Sequence, residues 1–427
     1  MSLKHRYPVA LLVAAVLSLA GLAARSPGWL ALAVLFTVYA ASLLFSHLGI
    51  PRLRLEATRT PRWTRATEGE AVDVELHVSS QERGAWCTVI DELPRSASLV
   101  KGKSAVACHL PPGESAVLHY GYRSARGLQE QSLVTVHIWS PWGLAVEEHR
   151  FDCRTAVFAI PRVEPLPSIA LRPRRIHAFV GPVHARSAGP GVEFFGCRAY
   201  VEGDDPRRIN WRAFARYGRL FVNEYEQERM TDVVILLDVR AAAHLHVGAT
   251  STFEPACRAA ASLATHSVRQ GNRTGLLLYG RSLDWIQPAG GRFHLERILS
   301  ALAVARLSAS AAFDDLASLP IQMLPSGCQV IVVSPLSRDG DDLVLARLRA
   351  RGLSVLSVLV DSLDLERAAQ PRDTATDLAF RTLSLRASAL QHSLEGQGVH
   401  VVRWDIQRPL AEALLAARAD RAARRVR

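Results

Sequence analysis

Cysteine is sparse in this chain: its 427 residues hold six, Cys87, Cys108, Cys153, Cys197, Cys257 and Cys328, with no C-x-x-C pair. Thiols scattered through apolar settings such as "AVACHL" and "AWCTVI" predict core filling, not a disulfide framework or a zinc site. Motifs that carry catalysis are missing as well. There is no H-E-x-x-H and no G-x-S-x-G. "KGKSA" at Lys101–Ala105 has Ala97 where a phosphate-binding loop needs glycine, and "GPGVEFFG" fails the dinucleotide spacing. "EGDDP" places Asp204 and Asp205 before Pro206, which is expected to open a helix, so the pair lacks the hairpin of a two-carboxylate polymerase site. His244 and His246 have no further ligands close in sequence and read as surface residues.

Lys and Arg number 51 against 40 Asp and Glu, a net charge of +11, and hydrophobic residues make up 49% against 21% charged. The length predicts two or three folding units. The apolar excess is concentrated at the start. Tyr7–Ala24 and Ser26–Pro51 contain no Asp, Glu, Lys or Arg, and only Arg25 separates them. Each run approaches the roughly 20 residues that cross a bilayer, so residues 1–51 are expected to form a transmembrane helical hairpin. Lys4, His5 and Arg6 precede it and Arg52, Arg54, Arg59, Arg62 and Arg65 follow it. That bias predicts a multi-pass inner (cytoplasmic) membrane protein with its soluble domains in the cytoplasm. A cleaved signal peptide ending near "AGLAA" is the rival, but it would leave the second run in place. The basic excess suits an anionic membrane surface or nucleic acid, and the placement of the charges must decide between them.

From residue 52 the period changes to two. "EAVDVELHVSS" alternates Val72, Val74, Leu76 and Val78 with polar neighbours, and "WCTVIDELP", "SAVLHYGYRS", "SLVTVHIWS" and "RTAVFAIPRV" follow between Pro and Gly signals. Residues 52–165 are therefore expected to form an antiparallel β-sandwich. Glu164–Gly191 reads as an extended connector, and residues 166–230 are taken together as the segment of connector and following charged stretch. "PRRINWRAFARY" reads as one helix between Asp205 and Gly218, and "RLFVNEYEQE" as a strand with Leu220 and Val222 on one face. Residues 231–427 alternate apolar strands ("DVVILLDV", "TGLLLYG", "CQVIVVSPL", "SVLSVLV", "HVVRWD") with helical spacing, the pattern of a doubly wound α/β domain ending in a basic helix.

Between Gly191 and Arg229 seven arginines face seven acids, and lysine is absent. A balanced stretch argues against phosphate binding, so nucleic acid is not the expected partner. Arginine beside carboxylates suits planar, bidentate pairing, and Tyr200, Trp211, Phe214 and Tyr217 add the aromatic anchors that interfaces favour. The expected partner-binding residues are Glu193, Arg198, Tyr200, Asp204, Asp205, Arg207, Trp211 and Arg216. A clamp that merely holds the fold together is the alternative.

"GVEFFGCRAYVEGDDPRRINWRAFARYGRLFVNEYE" resembles the signature of the domain of unknown function 58 family. The match runs through Gly191, Glu193, Phe194, Arg198, Tyr200, Gly203, Asp204, Asp205, Arg207 or Arg208, Ile209, Trp211, Ala215 and Arg216. The resemblance implies a membrane-anchored protein whose C-terminal domain is von Willebrand factor A-like. It implies a MoxR-type AAA+ ATPase as partner, and also a transglutaminase-like membrane protein. No enzymatic activity or cofactor is expected; the function expected is that of an adaptor or assembly factor. A hydrolase or transferase of envelope precursors, using Glu193 with Asp204 or Asp205, is the alternative, and a nucleic-acid binder using the basic connector and tail ranks behind it. The von Willebrand likeness raises the question of a metal site headed by Asp238. Arg240 and Ala242 stand where two hydroxyls would be needed, and Ser334 and Pro335 where a later acid would be, so no metal is expected.

Overall fold

A computed structural model of the chain describes residues 6–23, 25, 27–48, 53–81, 84–141, 143, 145–167, 184–228, 231–247, 250–280, 283–308, 319–338, 340–371 and 373–426. The chain divides into two compact units, Met1–Ile160 and Pro161–Arg427.

The first unit opens with helices α1 (Arg6–Ala23) and α2 (Pro27–Leu48), where the sequence predicts a transmembrane hairpin over residues 1–51. Among the described residues, no helix is long and apolar enough to cross a membrane. α1, 18 residues with Arg6 in its first turn, rises only about 27 Å, and a hairpin of spans needs both members. The finding overturns the transmembrane hairpin, and with it the membrane keywords and the multi-pass inner-membrane placement.

Among the described residues nine strands follow: β1 (Leu55–Pro61), β2 (Arg65–Thr67), β3 (Ala71–Ser80), β4 (Ala85–Asp91), β5 (Ser98–Gly102), β6 (Ala105–Leu110), β7 (Ser115–Arg123), β8 (Gly127–Trp139) and β9 (Val146–Ile160). They form one sheet in the order β1-β3-β7-β5 and another in the order β2-β9-β8-β4-β6. Every pairing is antiparallel except β2 with β9. Period-two alternation puts Val72, Val74, Leu76 and Val78 on the buried face of β3. Leu76, Val78 and Leu118 of one sheet pack against Cys87, Val89, Val134, Val136 and Ile138 of the other.

One polar network crosses this apolar interior. Arg59 of β1 is fully buried and grips Asp91 of β4 through both carboxylate oxygens, with Nε to Oδ2 at 3.0 Å. Its remaining N–H groups donate to the carbonyls of Gln131 (2.9 Å), Leu133 (3.2 Å) and Cys153. Tyr120 of β7 donates to Asp91 at 2.7 Å, and Gln131 donates to the Tyr120 hydroxyl at 3.0 Å. The Tyr120 phenol is pushed up from its ordinary value by burial and by the Asp91 charge. Because the ion pair is buried, losing either Arg59 or Asp91 leaves an uncompensated buried charge. Asp91→Ala is therefore expected to destabilise the protein by about 3–5 kcal/mol in urea denaturation, and a paired Arg59→Met/Asp91→Leu change by much less.

In the second unit, the expected connector falls partly on residues 168–183, which lie outside the described residues. From His184 the chain is already strand: β10 (His184–Ala199) pairs antiparallel with β11 (Phe221–Glu228), and α3 (Trp211–Tyr217) lies in the excursion between them. The α/β region then runs β12 (Asp232–Asp238), β13 (His246–Val247), β14 (Thr250–Ser251), α4 (Phe253–Arg269), β15 (Arg273–Tyr279), β16 (Leu283–Ala289), α5 (Arg292–Val304), β17 (Gln329–Ser334), α6 (Asp341–Ala350), β18 (Ser354–Asp361), α7 (Leu363–Ala369), α8 (Thr374–Gly396), β19 (His400–Asp405) and α9 (Leu410–Val426).

Its six-stranded sheet has the order β16-β15-β12-β17-β18-β19, parallel except for β16. β17 is buried along its whole length and β12 almost so, because helices cover both faces. Val344, Leu345 and Leu348 of α6 and Leu394 of α8 pack with Val234, Leu236, Val330 and Val332 of the sheet. The edge strand β16 carries Pro288, whose missing N–H is tolerated there. Gly275 lets it approach, since a Cβ at that position would come within 2.8 Å of the Ile286 carbonyl oxygen. The strand order reverses beside β12, between β15 and β17.

Candidate functional site

The segment between β10 and β11 is built by three local devices. Asp205, with Pro206 after it, accepts a hydrogen bond from the Arg207 amide at 2.9 Å and caps a single 3-10 turn, Pro206–Arg208. The helix then stops, where the sequence reading has it continue. Ile209 is extended and bridges to Val222 of β11, and Asn210 caps a second start by accepting from the Ala213 amide at 3.0 Å. The Asn210 side-chain amide also donates to Asn223 at 2.9 Å, which fastens the new helix start to β11. Gly218, in the left-handed region at φ 65°, ends α3 with its amide on the Phe214 carbonyl at 2.9 Å. Val222 is buried, whereas Leu220 precedes β11 and is exposed, so the two do not share a covered face.

Arg198 holds this excursion against the hairpin. Its Nη1 and Nη2 donate to the two oxygens of Asp204 at 2.7 and 2.6 Å, and its Nε donates to Glu224 at 2.9 Å. Asp204 also accepts from the Val201 amide at 2.9 Å. The Arg198 hydrogen bonds, followed by that amide, lower the Asp204 carboxyl from its ordinary 3.8 to about 2.

The predicted residues meet different fates. Arg198 and Asp204 are brought together, Asp205 is a cap, and Tyr200 is half-buried with its amide on the Leu220 carbonyl at 3.0 Å. Glu193 lies in β10, and its side chain is outside the description. Arg207 and Arg216 are exposed, with the Arg216 guanidinium 5.7 Å from the Tyr217 ring centroid. Trp211 is 63% exposed, Tyr217 62% and Phe214 41%. Trp211 and Phe214 meet edge to face at 6.2 Å, as do Tyr217 and Phe221 at 6.0 Å. Asn210 and Glu224 carry more of the geometry than the sequence reading assigns them; the Asn beside an aromatic helix start was the available signal for the first.

A second cluster forms at the C-terminal ends of β12 and β17. Asp238 is fully buried, and its Oδ1 accepts from the Arg240 amide (3.0 Å) and Nε (2.9 Å). Its Oδ2 accepts from Arg240 Nη2 (2.7 Å) and from the Ser334 hydroxyl (2.7 Å). Arg240 Nη2 also reaches Asp341 at 3.0 Å. Burial pulls the Arg240 guanidinium down, but the hydrogen bonds and charges of Asp238 and Asp341 outweigh it, and the net shift is upward. Burial pushes the Asp341 carboxyl up. His244 is not a surface residue. It is buried between the Asp238 carbonyl (2.8 Å) and Thr252 Oγ1 (3.0 Å), and burial lowers its basicity.

The metal that a von Willebrand likeness raises does not fit these residues. Both Asp238 oxygens are spent on Arg240 and Ser334, and a guanidinium stands between the two carboxylates. Among the described residues no group of three or more His, Cys, Asp or Glu is placed to hold an ion. The thiols are mixed in setting: Cys87, Cys257 and Cys328 are buried, Cys108 and Cys153 half-buried and Cys197 exposed.

Residues 196–402 match the family described as "Protein of unknown function DUF58", which covers the signature from Arg198 onward and most of the α/β region. The chain is also 28% identical over 130 residues to uncharacterized proteins of Mycobacterium tuberculosis (Rv1480) and Mycobacterium bovis (Mb1516). The matched stretch is 30% of this chain and 41% of those relatives, so under half of their length is spanned. Among solved structures, a fragment of Escherichia coli alpha-2-macroglobulin matches with TM-score 0.22 and 17% identity over 30% of this chain and 21% of that one. The cupredoxin domain of amoB from Nitrosocaldus yellowstonii matches with TM-score 0.20 and 11% identity over 30% of this chain and 99% of that one. Scores this low carry no argument about fold or function.

The Asp204 shift has a pH consequence. A carboxyl whose folded value lies below its unfolded value supports the fold above the unfolded value and loses that support as pH falls through the folded one. The Arg198–Asp204 grip is thus expected to be intact at pH 4 and above and to release only near pH 2, read from the carboxyl carbon of Asp204 by NMR.

Proposed function

We propose that this protein is a docking module of an assembly or adaptor system, and that the face built by α3 and its flanking turns is where a partner protein binds. The observation that carries the reading is the exposure of Trp211, Phe214 and Tyr217 on a helix pinned at both ends. Three large aromatic side chains kept in water oppose the hydrophobic effect, and such anchors are enriched where interfaces concentrate their binding energy. Charge adds direction. Asp204 and Glu224 are spent on Arg198 and Asp205 on a cap, so Arg207, Arg212, Arg216 and Arg219 dominate the exposed side chains around α3, with Glu202 remaining among them. A partner surface with an apolar centre and an acidic rim fits that face.

The family resemblance supplies the candidate, a MoxR-type AAA+ ATPase. The sheet order and the position of Asp238 at the end of β12 support a von Willebrand factor A-like reading of the α/β region. The rival reading, a hydrolase using signature carboxylates, is weaker on chemistry. A carboxyl lowered to about 2 is a poor proton donor near neutrality, and a capping oxygen is already engaged.

Full-length protein as bait, with and without ATP, tests the proposal through mass spectrometry of what is retained. A MoxR-type ATPase is expected on the wild type and reduced about 30-fold or more on a Trp211→Ala/Phe214→Ala variant with an unchanged melting curve. Equal retention by both proteins contradicts the face. Failure of the wild type to retain any such ATPase contradicts the partner.

A further inference from the structure

The switch point of an open α/β sheet, outside the C-terminal ends of the strands where their order reverses, is where such sheets bind ligands. In this chain, that place is filled from within. Asp238 ends β12 and Asp341 opens α6, and both accept from the guanidinium of Arg240, while Ser334, which ends β17, donates its hydroxyl to Asp238. Their burial is complete or nearly so, with Asp238 at 0%, Ser334 at 0%, Arg240 at 1% and Asp341 at 1% exposure. The ring centroid of Tyr279 lies 6.0 Å from the guanidinium carbon, and a Cβ at Gly280 would come within 2.8 Å of the Arg240 amide. The backbone is thus packed tightly around the arginine.

Two carboxylates this deeply buried cannot both stay charged without a cation between them. A divalent ion could fill that role, taking oxygens from Asp238, Ser334 and Asp341, but the four hydrogen bonds that Asp238 now accepts leave it no free direction. We propose that Arg240 is the resident cation of a two-carboxylate site at the switch point. It makes this face independent of divalent ions, and its removal would turn the same oxygens into a divalent-cation site. Arg240→Ser is the informative change, because it removes the tethered charge and supplies one more hard oxygen.

A terbium titration and thermal melts of the full chain, wild type beside Arg240→Ser, test this, with Tyr279 as the luminescence donor. The wild type is expected to melt at the same temperature in EDTA and in excess magnesium, and to show no saturable sensitised emission that Asp238→Asn removes. Arg240→Ser is expected to melt lower in EDTA, to give saturable emission, and to gain about 5 °C or more in excess magnesium or manganese. Adding Asp341→Asn should abolish that gain. Saturable wild-type emission lost in Asp238→Asn overturns the proposal. An Arg240→Ser protein indifferent to cations also overturns it, whether the variant is folded in EDTA or unfolded in both conditions.

Discussion

The candidate site depends on one guanidinium. Without Arg198, the turn carrying Asp204 and the strand carrying Glu224 would present two carboxylates to each other with nothing between them, and the excursion that contains α3 would lose its charged tie to the hairpin while keeping Asn210, the Ile209 bridge and the Tyr217–Phe221 contact. A planar fork that donates to one carboxylate with two nitrogens and to another with a third fixes both position and angle, which an ammonium could not do. The pair is solvent-accessible, so its contribution to global stability is small. Its role is local: it sets where three aromatic side chains stand.

The same device recurs at different depths. Arg59 joins the two sheets of the sandwich, and Arg240 closes the end of the parallel sheet, each between buried carboxylates or carbonyls. Burial changes what the pairing does. In water, an arginine and an acid lose little when parted, whereas in the interior each becomes an uncompensated charge. The two buried clamps therefore cannot be opened without stranding a charge in the interior, whereas the exposed one can be parted at small cost.

Much of this was legible in the sequence where periodicity dominates. Alternation places Val72, Val74, Leu76 and Val78 in the sandwich core, and the unbroken apolar runs of β12 and β17 match strands covered on both faces. Elsewhere tertiary context decides. "PRRINWRAFARY" is compatible with one helix, and only the pairing of Ile209 with Val222 shows why it breaks at Asn210. β16 is absent from the strands read from the sequence, and Pro288 is tolerated within it because it lies at the sheet edge. The two long apolar runs at the start read as membrane spans by composition, yet among the described residues no helix has the length and apolarity to be one. Charge counting gives seven arginines against seven acids, but Asp204 and Glu224 are engaged by Arg198 and Asp205 by a cap, while Arg207, Arg212, Arg216 and Arg219 are exposed with Glu202 among them. Counting cannot show which charges are spent.

If α3 is the docking face, Arg198 acts by placing it and not by touching the partner. A double-mutant cycle on affinity for the proposed ATPase partner tests this, with Arg198→Ala, Trp211→Ala and the pair combined. Arg198→Ala is expected to weaken binding in the wild-type background and to cost clearly less once Trp211 is gone. Losses that simply add would contradict it and make Arg198 an independent contact.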